Sequence, residues 1–422
     1  MRRRTFLRSF LRGSLIWPLS WPLSWPLAAL APGAAWARMP EYPAVKSGHP
    51  LVFPRDYGAH SSYRNEWWYV TGWLQTDAGS AAGATQGATP GSAAAAVAAG
   101  GSSLGFEATF FRSRPAIDEA NPSRFAPHQL LFANVALSDP RAGRLQQDQR
   151  AARRGFGLAD ASEADTAVHI RDWALERNAD GHYRLNVATP DFALAFTLAP
   201  TQPVLINGAG GYSRKGPLPA EASYYYSEPW LQVDGVLERR GHSSGKGEHV
   251  RGRAWLDHEW SSAPLADVAV GWDWIGINFD DGGALMALQI RDKAGRKFWA
   301  GGTLRAADGS THALSPDSVS FTPLRRWRSP HTGALYPVAM RVDAQDLHLT
   351  LVPLMDDQEF DSRASTGAVY WEGAVMAFEA GAATGTSGSE SASTAKPTTK
   401  PTTKPLGRGY LELTGYVQRL EL

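Results

Sequence analysis

Short runs rich in Val, Thr, Phe, Tyr and Trp recur along most of the chain, alternating with small or polar residues and separated by Gly, Pro, Asp and Asn clusters. Residues two apart share one face of a strand, so this alternation specifies half-buried β-structure. No long stretch carries the 3.6-residue period of an amphipathic helix. The pattern predicts an all-β chain of about sixteen strands. They begin with 66–75, 104–112 and 129–138 and take in 167–176, 223–238, 250–259 and 270–279. The last ones expected are 368–378 and 409–420. In 422 residues, so many strands suit two antiparallel β-barrels or sandwiches of about eight strands each, because closed sheets leave no exposed edges.

Three stretches interrupt the pattern. Residues 78–103 are mostly Ala, Gly, Ser and Thr, and 380–405 end in a Lys-Pro-Thr-Thr repeat. Neither can bury enough apolar surface to offset chain entropy, so both are expected to be expanded hairpin tips without chemistry. The polar run Gly241-His242-Ser243-Ser244-Gly245-Lys246-Gly247 is either another hairpin tip or a linker. A domain boundary is placed there, giving 38–245 and 246–422.

The N-terminus carries Arg3-Arg4-Thr5-Phe6-Leu7-Arg8, an apolar stretch, and then Ala35-Trp36-Ala37. An arginine pair before an apolar region and a small-x-small site resembles a twin-arginine export signal cleaved after Ala37. Pro18, Pro22 and Pro26 break up the apolar stretch, which argues against a membrane-spanning helix there. A periplasmic or secreted protein beginning at Arg38, with no transmembrane segment, is expected. Five of the 42 basic residues fall in 1–37, leaving 37 bases against 41 acids. No basic surface for nucleic acid is implied. The chain has no cysteine, which excludes disulfides and cysteine-ligated metals.

The chemistry-bearing residues are concentrated in a few clusters. In Asn65-Glu66-Trp67-Trp68-Tyr69-Val70-Thr71, Glu66, Trp68 and Val70 share one face, and Trp67, Tyr69 and Thr71 the other. Glu66 is then either a desolvated general acid or a carboxylate satisfied by Arg64 or the backbone at a barrel rim. In Arg253-Ala254-Trp255-Leu256-Asp257-His258-Glu259-Trp260-Ser261, His258 and Trp260 share a face opposite Asp257 and Glu259. A histidine flanked by carboxylates can move a proton near neutral pH, or can be a satisfied core residue. No further histidine stands at ligand spacing, so no metal is expected. Trp272, Trp274 and Asn278 on one strand face, and Tyr224 and Tyr226 in the Tyr224-Tyr225-Tyr226 block, either pack a core or join Trp68 in lining an apolar cavity.

Together these segments resemble the AttH and carotenoid 1,2-hydratase (CrtC) family of lipocalin-like proteins. The resemblance rests on Asp56 to His60, Glu66 to Gly72, Gly105-Phe106-Glu107 with Phe110-Phe111-Arg112, Tyr212 to Gly216, and Tyr224 to Ser227. Trp255 to Ser261 and Gly409 to Tyr416 complete it. It implies two packed lipocalin-like antiparallel β-barrel domains and no cofactor. The hydratase branch implies a hydro-lyase that protonates an isoprenoid alkene, with His258 or Asp257 as acid, Glu66 beside them and Trp260 stabilising the cation. The exported AttH branch implies a periplasmic binder of a hydrophobic, lipid-like molecule, with an ABC-type permease as partner. Serine hydrolysis has no support, since no Gly-x-Ser-x-Gly elbow is present.

Overall fold

A computed structural model describes residues 39–76, 103–240, 247–381 and 404–420. The expected export signal, almost all of both low-complexity stretches, and 241–246 lie outside the described residues.

Two antiparallel sheets make up the described chain, with no α-helix among its residues. The first sheet begins with β1 (Asn65–Thr76), β2 (Ser103–Ser113), β3 (Leu130–Ser138), β4 (Leu145–Arg153) and β5 (Ala159–Ala161). It continues with β6 (Ala167–Ile170), β7 (Trp173–Arg177), β8 (Tyr183–Ala188) and β9 (Phe192–Pro200). β10 (Leu205–Ile206), β11 (Tyr212–Arg214), β12 (Ala222–Arg239) and β13 (Glu248–Ser261) complete it. The second sheet holds β14 (Ala269–Phe279), β15 (Ala284–Asp292), β16 (Lys297–Arg305), β17 (Thr311–Leu314) and β18 (Val319–Arg328). After these come β19 (Leu335–Ala344), β20 (Leu347–Pro353), β21 (Glu359–Ser362), β22 (Ala368–Glu379) and β23 (Gly407–Leu413).

In space the first sheet runs β4-β3-β2-β1-β13-β12-β9-β8-β7-β6-β5, and the second β17-β16-β15-β14-β23-β22-β20-β19-β18. The first curls into a nearly closed barrel, its gap bridged by Arg150 of β4. That guanidinium donates to the carbonyl of Ile170 at 3.2 Å and lies 4.0 Å over the ring of Trp173. The second curls less far and forms a half-barrel, with Lys297 reaching the carbonyl of Val319 at 3.1 Å. This is the expected lipocalin-like all-β class.

Several local expectations are corrected. The strand expected over 167–176 is a hairpin, β6–β7, turned by Arg171 at φ 57°. The last strand stops at Leu413, before Gly415 at φ 75°. β4, Leu-Gln-Gln-Asp-Gln-Arg-Ala-Ala-Arg, carries no alternation because most of it is only half-buried. The two strands flanking 241–246 pair antiparallel, so that polar run joins one hairpin instead of separating two sheets. The chain changes sheet at 262–268, because β13 is needed between β1 and β12.

Each sheet wraps its own core. Val70, Phe106, Phe110, Leu131, Trp173 and Leu256 fill the first, and Ile275, Leu285, Val342, Leu349 and Trp371 the second. A third apolar layer lies where the sheets meet and includes Tyr69, Trp73, Tyr225, Trp255, Trp274 and Tyr410. Gly105 marks how close they come: a Cβ there would lie 2.4 Å from the Tyr410 hydroxyl and 2.7 Å from Ala374 Cβ. Strand β1, the first half of β12 (222–229) and the last part of β13 (254–261) are therefore covered on both faces.

Candidate functional site

Alternation along these double-faced strands sends their polar residues to two different places. On the inner face of the first barrel, register sets Trp68 beside His258 and His258 beside Tyr226. Glu66 lies opposite Trp260 on one side and Arg112 on the other. The carboxylate of Glu66 is wholly buried and accepts from Arg112 Nε at 2.8 Å, His258 Nε2 at 2.8 Å, and both the Nδ1 and the backbone N–H of His60 at 2.8 and 2.9 Å. Because an ionised carboxylate only accepts, each imidazole presents a proton to it. His258 then receives the Tyr226 hydroxyl on Nδ1 at 3.1 Å, and His60 turns Nε2 toward Asp56, 3.4 Å away.

Charge follows from these contacts. Burial would raise Glu66, but the Arg112 charge and the two histidine hydrogen bonds hold it well below the carboxylate range. Burial would lower His60, yet its bonds to Asp56 and Glu66 raise it. For His258 burial wins and its pKa is lowered, so it is neutral. The rings are clamped as well: His60 stacks on Trp260 at 3.6 Å, and His258 on Trp68 at 4.7 Å. His60, Glu66 and His258 are a group whose donor atoms lie within 4.8 Å of one another, a set that could hold a metal ion. Arg112 and the bonds among the three already satisfy those atoms, so the network is complete as it stands.

The opposite faces of the same strands border a cavity of about 350 Å³ between the sheets. Trp67, Phe111, Phe132, Leu265, Trp272, Trp274, Leu288 and Ile290 give it apolar walls. Into it project Glu107, Asp257, Glu259, Glu372 and Glu412, with Tyr69, Tyr225 and Tyr370. Asp257 accepts from the Tyr225 hydroxyl and Trp255 Nε1, both at 2.6 Å, and from Ser227. Burial outweighs these bonds and pushes it up to about 7. Glu412 accepts from Trp272 Nε1 at 2.8 Å and is likewise pushed up to about 7 by burial. Register puts Glu412 directly opposite Glu372, whose carboxyl is raised well above the usual range by burial and by the charges of Glu107 and Glu412. Burial, with the Glu412 charge, carries Glu107 up to about 8. Glu259 is paired with Lys215 at 2.8 Å.

The residues singled out from sequence divide between these two places. Glu66, Trp68, Tyr224, Tyr226, His258 and Trp260 belong to the first barrel's core and its network. Asp257, Trp272 and Trp274 line the cavity, and Glu66 with its partner Arg112 also borders it. Asn278 does neither and donates to the carbonyl of Pro229. Arg112, and not Arg64, is the cation on Glu66. Sequence reasoning missed Glu107, Glu372 and Glu412 as site residues. Each is flanked in its strand by apolar or small residues, so the sequence signals a buried acid there but not its role.

The comparisons with known proteins fit this architecture. A search of curated protein sequences finds no match. Among solved structures, a Nitrosomonas europaea protein assigned as AttH is 47% identical, with a TM-score of 0.73 over 89% of this chain and 100% of that one. Kievitone hydratase from Nectria haematococca is 13% identical, with a TM-score of 0.60 over 90% of this chain and 98% of that one, a likeness of fold. The AttH-like family profile matches residues 44–86 and 93–416, and the chain belongs to the AttH-like family.

Proposed function

We propose that the protein binds an apolar, lipid- or isoprenoid-like small molecule between its two sheets and acts there as a hydro-lyase, adding water across a carbon–carbon double bond or removing it. One observation carries this reading. Carboxyl groups that burial holds near or above neutrality face an apolar-walled cavity, where simple retention of a greasy ligand would not need them. Near pH 7 such a group both gives and takes a proton, which suits general acid–base catalysis. Glu412 donates its proton to the alkene carbon, the faces of Trp272 and Trp274 stabilise the resulting cation, and water bonds to it while returning a proton to the carboxylate. Asp257, held by three donors, orients the Tyr225 hydroxyl. His258 lies on the other face of β13 and is committed to Glu66 and Tyr226, so the proton role passes to the cavity acids. The hydratase activity named for kievitone hydratase supports the same class of reaction.

The test is incubation of the purified protein with isoprenoid alkenes in heavy-oxygen water. Wild type should incorporate one labelled oxygen per product, and Glu412→Gln should lose turnover by at least about a hundredfold while keeping its melting temperature. Ligand retained without incorporation would make the protein a carrier.

We further propose export to the periplasm, supported by the arginine pair and the Ala35-Trp36-Ala37 site, with an ABC-type permease as partner on the strength of the AttH resemblance. Changing Arg3→Lys together with Arg4→Lys should leave full-length chain in the cytoplasm, and an undiminished periplasmic yield would refute this route.

A further inference from the structure

Two carboxyl groups in the cavity are left incomplete by the bonds of the fold. Glu107, on β2, accepts the Thr109 hydroxyl at 2.9 Å and the Tyr370 hydroxyl at 3.2 Å, both on Oε1. Glu372, on β22, accepts the Tyr69 hydroxyl, also on Oε1. The Oε2 atom of each is buried and has no hydrogen-bond partner among the described residues. Both side chains are almost wholly enclosed, at 2% and 1% exposure. The two Tyr–Glu pairs cross the interface in opposite senses, with Tyr69 and Glu107 from the first sheet and Glu372 and Tyr370 from the second.

The groups around them fix their protonation. Tyr69, Tyr370, Tyr410, Glu412 and Asp257 face the pair, and none brings a positive charge. The cations bordering the cavity are tied elsewhere, Lys215 to Glu259 and Arg112 to Glu66. Burial and the Glu412 charge raise Glu107 to about 8, and burial with the charges of Glu107 and Glu412 raises Glu372 well above its usual value. With tyrosine hydroxyls donating to both Oε1 atoms, the proton of each neutral carboxyl belongs on Oε2. Two O–H donors, one from each sheet, are then buried without an acceptor, and a buried donor left unpaired is costly.

We propose that Glu107 and Glu372 form a paired donor that grips a carbonyl oxygen, so that the cavity's ligand is an apolar ketone, enone or quinone. This rests on the reading that the cavity holds an apolar molecule. A carbonyl oxygen has two lone pairs and can accept from both acids at once. A pure hydrocarbon would leave both donors unpaired. A carboxylate ligand would bring a third negative group to a cavity rich in acids.

A matched pair of fluorescent probes tests the proposal: a propionyl-dimethylaminonaphthalene ketone, whose emission shifts to the red when its carbonyl is hydrogen-bonded, and its propyl analogue without the carbonyl. Wild type at neutral pH should bind the ketone about tenfold more tightly, with a red-shifted emission, and the preference should fade as pH rises through about 8 and Glu107 ionises. Glu107→Gln keeps an N–H donor that does not ionise, so the preference should persist and lose its pH dependence. Glu107→Leu combined with Glu372→Leu should bind both probes alike. If that double variant does not fold, the pH profile of Glu107→Gln decides. Equal binding of the two probes by wild type would overturn the carbonyl assignment while leaving the apolar cavity intact. An unaltered pH profile in Glu107→Gln, or stronger binding of an aminopropyl analogue, would also overturn it. Binding of neither probe would overturn both readings.

Discussion

Arg112 and Glu66 stand directly across the β1–β2 ladder, and both are essentially sealed from solvent. Removing one member of such a pair leaves the other charge buried alone, which typically costs about 3–5 kcal/mol. Arg112→Leu should therefore lower unfolding free energy by about that amount in urea titrations, and an effect below about 1 kcal/mol would mean that Glu66 is solvated or neutral. The sequence shows that Glu66 and His258 are unusual, since each is a titratable side chain inside an aromatic run. It does not show their partner, because Arg112 meets Glu66 only once β1 and β2 pair across the 26 residues 77–102. Glu107 and Glu372 were hidden for a different reason. A single acid in an apolar strand has no local neighbour that announces a role, and these two meet only through the contact of two sheets.

At the scale of the element, β13 decides how the molecule divides its labour. Period-two geometry already separates His258 and Trp260 from Asp257 and Glu259 in the sequence. Which face is core and which is cavity was not legible, because both carry large aromatic and charged residues. Packing settles it: one face closes a barrel in which the Glu66 carboxylate and the imidazoles of His60 and His258 are fully bonded, and the other borders a cavity where Glu107 and Glu372 each keep an unpartnered oxygen. The same double covering explains why β1 reads as an almost continuous aromatic and apolar run, Trp-Trp-Tyr-Val-Thr-Gly-Trp-Leu. Edge strands fared worse in the sequence, as β4 illustrates. Its Gln, Arg and Ala side chains are half-exposed, so the pairing comes from the ladder with β3 and from Arg150 reaching across to β6.

For the whole molecule, the two polar groups set opposite limits on stability as a function of pH. Glu107 is raised to about 8, Asp257 and Glu412 to about 7, and Glu372 well above its usual value, and burial also raises Glu228, which accepts the Tyr183 hydroxyl in the first barrel, to about 7. A carboxyl with a higher pKa folded than unfolded supports the fold fully below its unfolded value, near 4, and loses that contribution as pH rises through the folded value. His60, raised above 6.5, acts in the same direction. His258 opposes them, because a lowered histidine gains stability as pH climbs toward 6.5. At the acid end Glu66 and Asp56, both lowered, protect the fold above their unfolded values and release it as pH falls through their folded ones. The balance puts the stability maximum near pH 5, with a steady decline toward pH 8. Thermal melts across that range should show it, and Glu107→Gln should flatten the slope because one of the buried acids no longer has to ionise. A melting temperature that holds level or rises between pH 5 and 8 would mean that the cavity carboxyls are solvated and already charged, and the acid–base reading of the cavity would fall with them.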